Sequence, residues 1–131
     1  MQVLQPPGYV RPKGYANGIA ARGTMVFVAG QVGWDQNEQF QTDDIAGQAR
    51  QSLTTIVAIL AEAGAKPEHI VRMTWYVGDK DEYNANLKSI GQAYRDVIGR
   101  EFSAMTAVQV AGFVEQGAKL EIEATAVIPD A

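Results

Sequence analysis

The sequence predicts a single α+β domain, residues 1–131, in which two helices lie on one face of a mostly antiparallel sheet. Two stretches carry apolar residues at helical spacing on one side only. Strand-like runs precede, separate and follow them, and 131 residues with 47% hydrophobic and 20% charged side chains make one ordinary globular core. Helices of this kind cover only one face of a sheet. The other face needs a cover, and self-association supplies it.

Residues 1–18 hold Pro6, Pro7, Pro12, Gly8, Gly14 and Gly18, a density that breaks regular structure and predicts an extended N-terminal segment. Ile19-Ala20-Ala21, a turn at Arg22-Gly23-Thr24 and the run Met25 to Gly30 then read as a hairpin. The second run is apolar on both faces, as in a strand covered on both sides. Gly33 to Gln41 reads as a loop.

Thr42-Asp43-Asp44 supplies the capping and acidic residues of a helix start. Ile45, Ala49, Leu53, Ile56, Leu60 and Ala63 follow at spacings of three and four, and Gly64 can end the helix in the left-handed conformation. Its other side, with Gln48, Arg50, Gln51, Thr54 and Glu62, is expected to face water. Val71, Met73, Trp75 and Val77 alternate with Arg72, Thr74 and Tyr76, the period of a strand. Asp79 and Asp81 open a second helix with the stripe Tyr83, Leu87, Ile90, Tyr94, Val97 and Ile98, stopped at Gly99. Strands over Thr106–Val110 and Leu120–Ile128 close the chain, the last with Leu120, Ile122, Ala124, Ala126 and Ile128 on one face and Lys119, Glu121, Glu123 and Thr125 on the other.

Composition limits the chemistry. Eleven Lys plus Arg against fifteen Asp plus Glu give a net charge of −4, so no broad positive field exists to hold nucleic acid. There is no Cys and only one His, His69, which removes thiolate nucleophiles and zinc clusters and makes a metal site or catalytic triad improbable. His69 lies in a short turn and is assigned a structural role. No stretch reaches the length of a membrane span and no signal-peptide pattern is present, which predicts a cytoplasmic protein. The chemistry left to the chain uses carboxylates, hydroxyls, amides and water.

Glu121 and Glu123 share one face of an apolar strand. They are either a solvated pair or, at a subunit junction, managers of protons for a water molecule, and spacing does not choose between these. Tyr15, in Gly14-Tyr15-Ala16-Asn17-Gly18, offers a hydroxyl to a ligand or packs as a lid. Gly30-Gln31 at a strand end lets backbone approach a ligand. Trp34, Trp75 and Tyr76 are read as core or interface residues.

Taken together, Gly14-Tyr15-Ala16-Asn17-Gly18-Ile19, Val26 to Gln31, Asp44 to Gly64, Val71 to Val77, Ala104 to Val110 and Glu121-Ile122-Glu123-Ala124 resemble the Rid superfamily, also called YjgF/YER057c/UK114, in motif order and over nearly the whole chain. The resemblance implies a chorismate-mutase-like α+β fold and a homotrimer whose uncovered sheet faces close a central barrel, with three pockets between subunits. It implies cofactor-independent hydrolysis of a reactive enamine or imine, such as 2-aminoacrylate, to a 2-oxo acid and ammonia. Endoribonuclease activity, an older label of the family, is a remote alternative that the acidic charge does not support.

In the active subgroup an Arg in Pro-Ala-Arg-Ser grips the substrate carboxylate and a Glu in Glu-Ile-Glu-Ala positions water. Here the first segment reads Ser103-Ala104-Met105-Thr106, so Met105 stands in place of the Arg. A thioether cannot pair with an anion, and losing that fork in a desolvated pocket costs about 2–5 kcal/mol. Ala29 stands where Ser is common, Ala107 where Cys is, and Leu87 at the place of an Asn. Tyr15 and Glu121 remain.

The expected site therefore comprises Glu121 and Tyr15 as catalytic groups, with Ala29, Gly30, Gln31, Leu87, Met105 and Ala107 binding substrate. The pocket is expected to be more apolar than the family's usual one. Arg-less relatives include 2-aminomuconate deaminases, which makes a longer conjugated amino acid one candidate substrate. A noncatalytic trimer that binds a small metabolite or another protein is the alternative.

Overall fold

A computed structural model describes residues Met1–Ala131. Its elements are β1 (Gln2–Leu4), β2 (Gly18–Ala20), β3 (Thr24–Val32), α1 (Ile45–Glu62), β4 (Ile70–Val77), α2 (Lys80–Ala85), α3 (Leu87–Val97), β5 (Ala104–Gln109) and β6 (Leu120–Ile128). A four-stranded sheet runs in the order β3-β6-β4-β5, antiparallel except for the parallel pair of β4 with β5 at one edge. α1 packs on β3 and β6, and α3 lies against α1, so the helices cover one face as the one-sided stripes require.

α1 begins where Asp44 Oδ2 accepts the Gly47 N–H at 2.8 Å, and Gly64 follows its end at φ +75°. Leu53, Ile56 and Leu60 are fully buried, each contributing about 1.5–3 kcal/mol of transfer free energy. They meet Ile90 and Tyr94 of α3 and Met73, Trp75 and Ile122 of the sheet in one core. The last residue of the expected stripe, Ala63, is exposed, because the helix has ended by then.

Four sequence-based expectations need correction. Ile19-Ala20-Ala21 does not form a hairpin with the next run: Gly18–Ala20 pairs antiparallel with Gln2–Leu4, which turns part of the extended N-terminal segment into a strand. At Gly23, φ is +147° and a Cβ would fall 1.9 Å from the Ile128 carbonyl oxygen, so the chain passes against the end of β6 and β3 is laid onto that strand instead. Gln48 is not on a wet face but fully buried. Its Nε2 donates to the carbonyls of Thr42 (3.1 Å) and Gly117 (3.0 Å), and its Oε1 accepts the Lys119 N–H (2.8 Å), which ties α1 to the start of β6.

The second helix is two helices. Asn86 donates its side-chain amide to the Glu82 carbonyl (2.8 Å) and its backbone N–H to Tyr83 (3.1 Å), competing with the regular ladder and separating α2 from α3. Finally, Val71 is only half-buried and Ile70 takes its place inside, because the pairing of β4 with β6 shifts register between Ile70 and Arg72. His69 ends a short 3₁₀ turn, Pro67–His69, where its Nδ1 accepts the Lys66 N–H at 2.9 Å, consistent with the structural role assigned to it.

Candidate functional site

The structure divides the expected site residues between the two faces of the sheet. Tyr15, Leu87, Met105 and Ala107 line one cleft of about 770 Å³ between the β5 edge, α3 and the segment before β2. The parallel register sets Met105 beside buried Met73 and Ala107 beside buried Trp75, which aims both toward the helices. Tyr15 arrives because the next residue, Ala16, bridges to Ala104 and donates its N–H to the Ser103 carbonyl at 2.9 Å. Leu87, half exposed, is the first residue of α3 after the Asn86 break.

Ala29, Gly30 and Glu121 lie elsewhere, around the face without helices. Cross-strand pairs place Glu121 beside Tyr76 and Glu123 beside Thr74, and exposed Phe27 extends the same face. The two carboxylates that spacing alone left equivalent differ here. Glu123 Oε1 accepts the Tyr76 hydroxyl at 2.7 Å, and this bond holds the Tyr76 phenol above its ordinary range. Glu121 takes part in no side-chain hydrogen bond and stays available to water or a ligand.

Gly30 has a specific reason to be glycine: a Cβ there would fall 2.5 Å from Glu121 Oε2, so the carboxyl group rests where a side chain would otherwise stand. Gln31 joins neither group. The register shift between Val28 and Gln31 turns it toward α1, where it borders a polar hollow with Trp34, Gln51 and Thr55 and donates to the Ala29 carbonyl at 3.1 Å.

The cleft is aromatic as well as apolar. Tyr94 and Phe102 stack with centroids 6.1 Å apart at 6°, and Trp75 meets the Tyr83 ring edge-on at 6.4 Å and 71°. Trp75, expected in the core or at an interface, belongs to the core and also forms part of the cleft wall. Burial pushes the Tyr94 phenol up to about 12, and its hydroxyl donates to the Glu101 carbonyl.

Sequence reasoning missed Lys13, Arg95 and Phe102 as cleft residues, and read Tyr83 and Tyr94 only as a helical stripe. The available signal was three bulky rings, Tyr83, Tyr94 and Trp75, converging on one side of a small domain. Trp34 pairs with Phe40 at 5.6 Å, away from the cleft.

This one-sided α+β layer is the fold of the YjgF-type domain. The chain belongs to the Rid superfamily: residues 10–128 match the family described as Endoribonuclease L-PSP, and the chain is 34% identical over 113 residues, 86% of each protein, to the 2-iminobutanoate/2-iminopropanoate deaminase of Salmonella typhimurium. A Rid-family protein of unknown function from Yersinia pestis, YyfB, superposes with a TM-score of 0.84 at 28% identity, covering 97% of this chain and 98% of that one. TdcF of Escherichia coli, solved with bound serine, superposes with a TM-score of 0.69 at 30% identity, covering 98% and 99%. The chain is thus similar to imine deaminases over nearly its full length. No helix is long and apolar enough to cross a membrane.

Proposed function

We propose that this chain is a cofactor-independent imine deaminase of the Rid type, acting as a cytoplasmic homotrimer with its site between subunits. The observation that carries the reading is the gathering of Tyr15, Leu87, Met105 and Ala107 in one cleft while Glu121 stands unbonded on the helix-free sheet face. A site that uses both groups needs two copies of the chain, the cleft from one and the carboxylate from the next. Three helix-free faces closed into a barrel provide that arrangement and bury exposed Met25 and Phe27.

In the reaction, Glu121 takes a proton from water as its oxygen bonds to the imine carbon. That proton passes to nitrogen to give a carbinolamine, whose hydroxyl proton is then carried to the nitrogen as the C–N bond breaks, so that ammonia leaves and the carbonyl forms. Tyr15 donates a hydrogen bond that positions the water or the substrate. Met105, standing where the resemblance expects an Arg, offers no charge to a carboxylate at that point, so the substrate range departs from that of small anionic imino acids.

The test is ammonia release from 2-aminoacrylate and 2-aminomuconate generated in situ. Glu121→Gln should lower kcat by about 100-fold or more in a protein that still sediments as a trimer. Met105→Arg should create or raise hydrolysis of 2-aminoacrylate. The second reading, a binding module without chemistry, is favoured by the apolar lining of the cleft. Wild-type release at the uncatalysed rate, unchanged by Glu121→Gln, would decide for it.

A further inference from the structure

Two cations border the aromatic cleft without a carboxylate partner. Lys13 lies two residues before Tyr15, and Arg95 lies on α3, one turn beyond Gly91. Neither is within ion-pair distance of an Asp or Glu. Lys13 makes no side-chain hydrogen bond, and Arg95 makes one, to Gln92 Oε1 at 3.2 Å. Neighbouring Asp96 is already engaged by Arg50 at 2.9 Å and Gln92 at 2.7 Å.

Gly91 gives Arg95 its place on the cleft side. A Cβ there would stand 3.4 Å from Arg95 Nη1, so the guanidinium folds back along the helix over the bare backbone. Both side chains are exposed, and at the border of an apolar cavity a guanidinium and an ammonium stand where a ligand's anionic end can meet them. The walls beside them are rings, and the buried Trp75 Nε1–H has no acceptor. A cavity of about 770 Å³ is of the size that takes drug-sized ligands and is far larger than a three- or four-carbon acid fills.

We propose that Arg95 and Lys13 form a carboxylate clamp displaced from β5 to the border of the cleft, and that the ligand is a planar unsaturated or aromatic carboxylate. Its body lies against Tyr94, Phe102 and Trp75, with its anionic end toward Arg95 and Lys13. The inference rests on the reading of this cleft as the substrate side of the site. It supplies the charge that Met105 does not.

Calorimetric titration with trans-cinnamate and with its neutral isostere cinnamamide tests it on the full-length protein. Wild type should bind cinnamate about tenfold or more tightly than the amide. Arg95→Gln should remove most of that preference, Lys13→Gln a smaller part, and the double variant all of it, while affinity for the amide stays within about twofold of wild type. Equal affinity for the two probes in wild type, no binding of either, or a preference that survives the double variant would overturn the clamp. Wild type that holds cinnamate through these residues yet releases no ammonia defeats the catalytic reading alone. Wild type that deaminates without telling the two probes apart defeats the clamp alone.

Discussion

The two sides of one sheet carry opposite chemistry by opposite means. On the helix side, the cleft is made of rings and a thioether, and its shape depends on packing around Tyr94, Trp75 and Met105. On the bare side, Glu121 and Glu123 stand on the same strand, and their placement depends on hydrogen bonds and on space left by a missing Cβ. Apolar positioning tolerates shifts of a side chain, whereas a bonded carboxylate or an amide bridge does not. The difference teaches that small changes should disturb the bare side more.

The largest expected effect comes from Gln48→Leu, which breaks the amide bridge between α1 and the start of β6, the strand that carries both carboxylates. It leaves the Lys119 N–H and the Thr42 and Gly117 carbonyls without their partner, at a cost of about 2–4 kcal/mol. Urea denaturation should show a lower midpoint, and Gln48→Glu should not restore it.

Alkaline pH tests the cleft side. The Tyr94 phenol is pushed up to about 12 in the fold against about 10 in the unfolded chain, so the folded state holds its proton more tightly. The corresponding stability is complete below pH 10 and is lost between about pH 10 and 12, on the order of 2 kcal/mol in all. Denaturation midpoints measured across that range should fall in wild type and fall less in Tyr94→Phe.

The smallest effect on stability, about 1 kcal/mol, is expected for Gly30→Ala, whose Cβ contests the space of the Glu121 carboxyl group. If the carboxylate serves the reaction, this variant should lose roughly tenfold in kcat while Thr125→Ser, on the same sheet face, keeps its rate. An equal loss in both would show that the sheet face, and not the carboxylate, is being read.

Much of the fold was legible because its signals are periodic. The stripe from Ile45 to Leu60 and the alternation in Ile70–Val77 and Leu120–Ile128 report burial directly, and the caps at Asp44 and Gly64 sit where their chemistry places them. What escaped depends on partners distant in sequence. Nothing near Ile19 says that Gln2–Leu4 pairs with it, and nothing near Gln48 names Gly117 and Lys119 as its acceptor and donor.

The candidate residues Tyr15, Met105 and Glu121 could be singled out by type, but their arrangement in space could not. The site's division between two faces follows from sheet order, which one-dimensional periodicity does not contain. Arg95 escaped for the same reason: it looks like any solvated helical cation until the strand edge opposite it is known.

The interruption at Asn86 divides one wall of the cleft into two panels, with Tyr83 on the first and Leu87 on the second. The side-chain amide hydrogen bond to Glu82 and the backbone N–H hydrogen bond to Tyr83 together hold the junction at which the panels meet. Chamber width can be engineered at position 86 without altering any residue a guest molecule would touch.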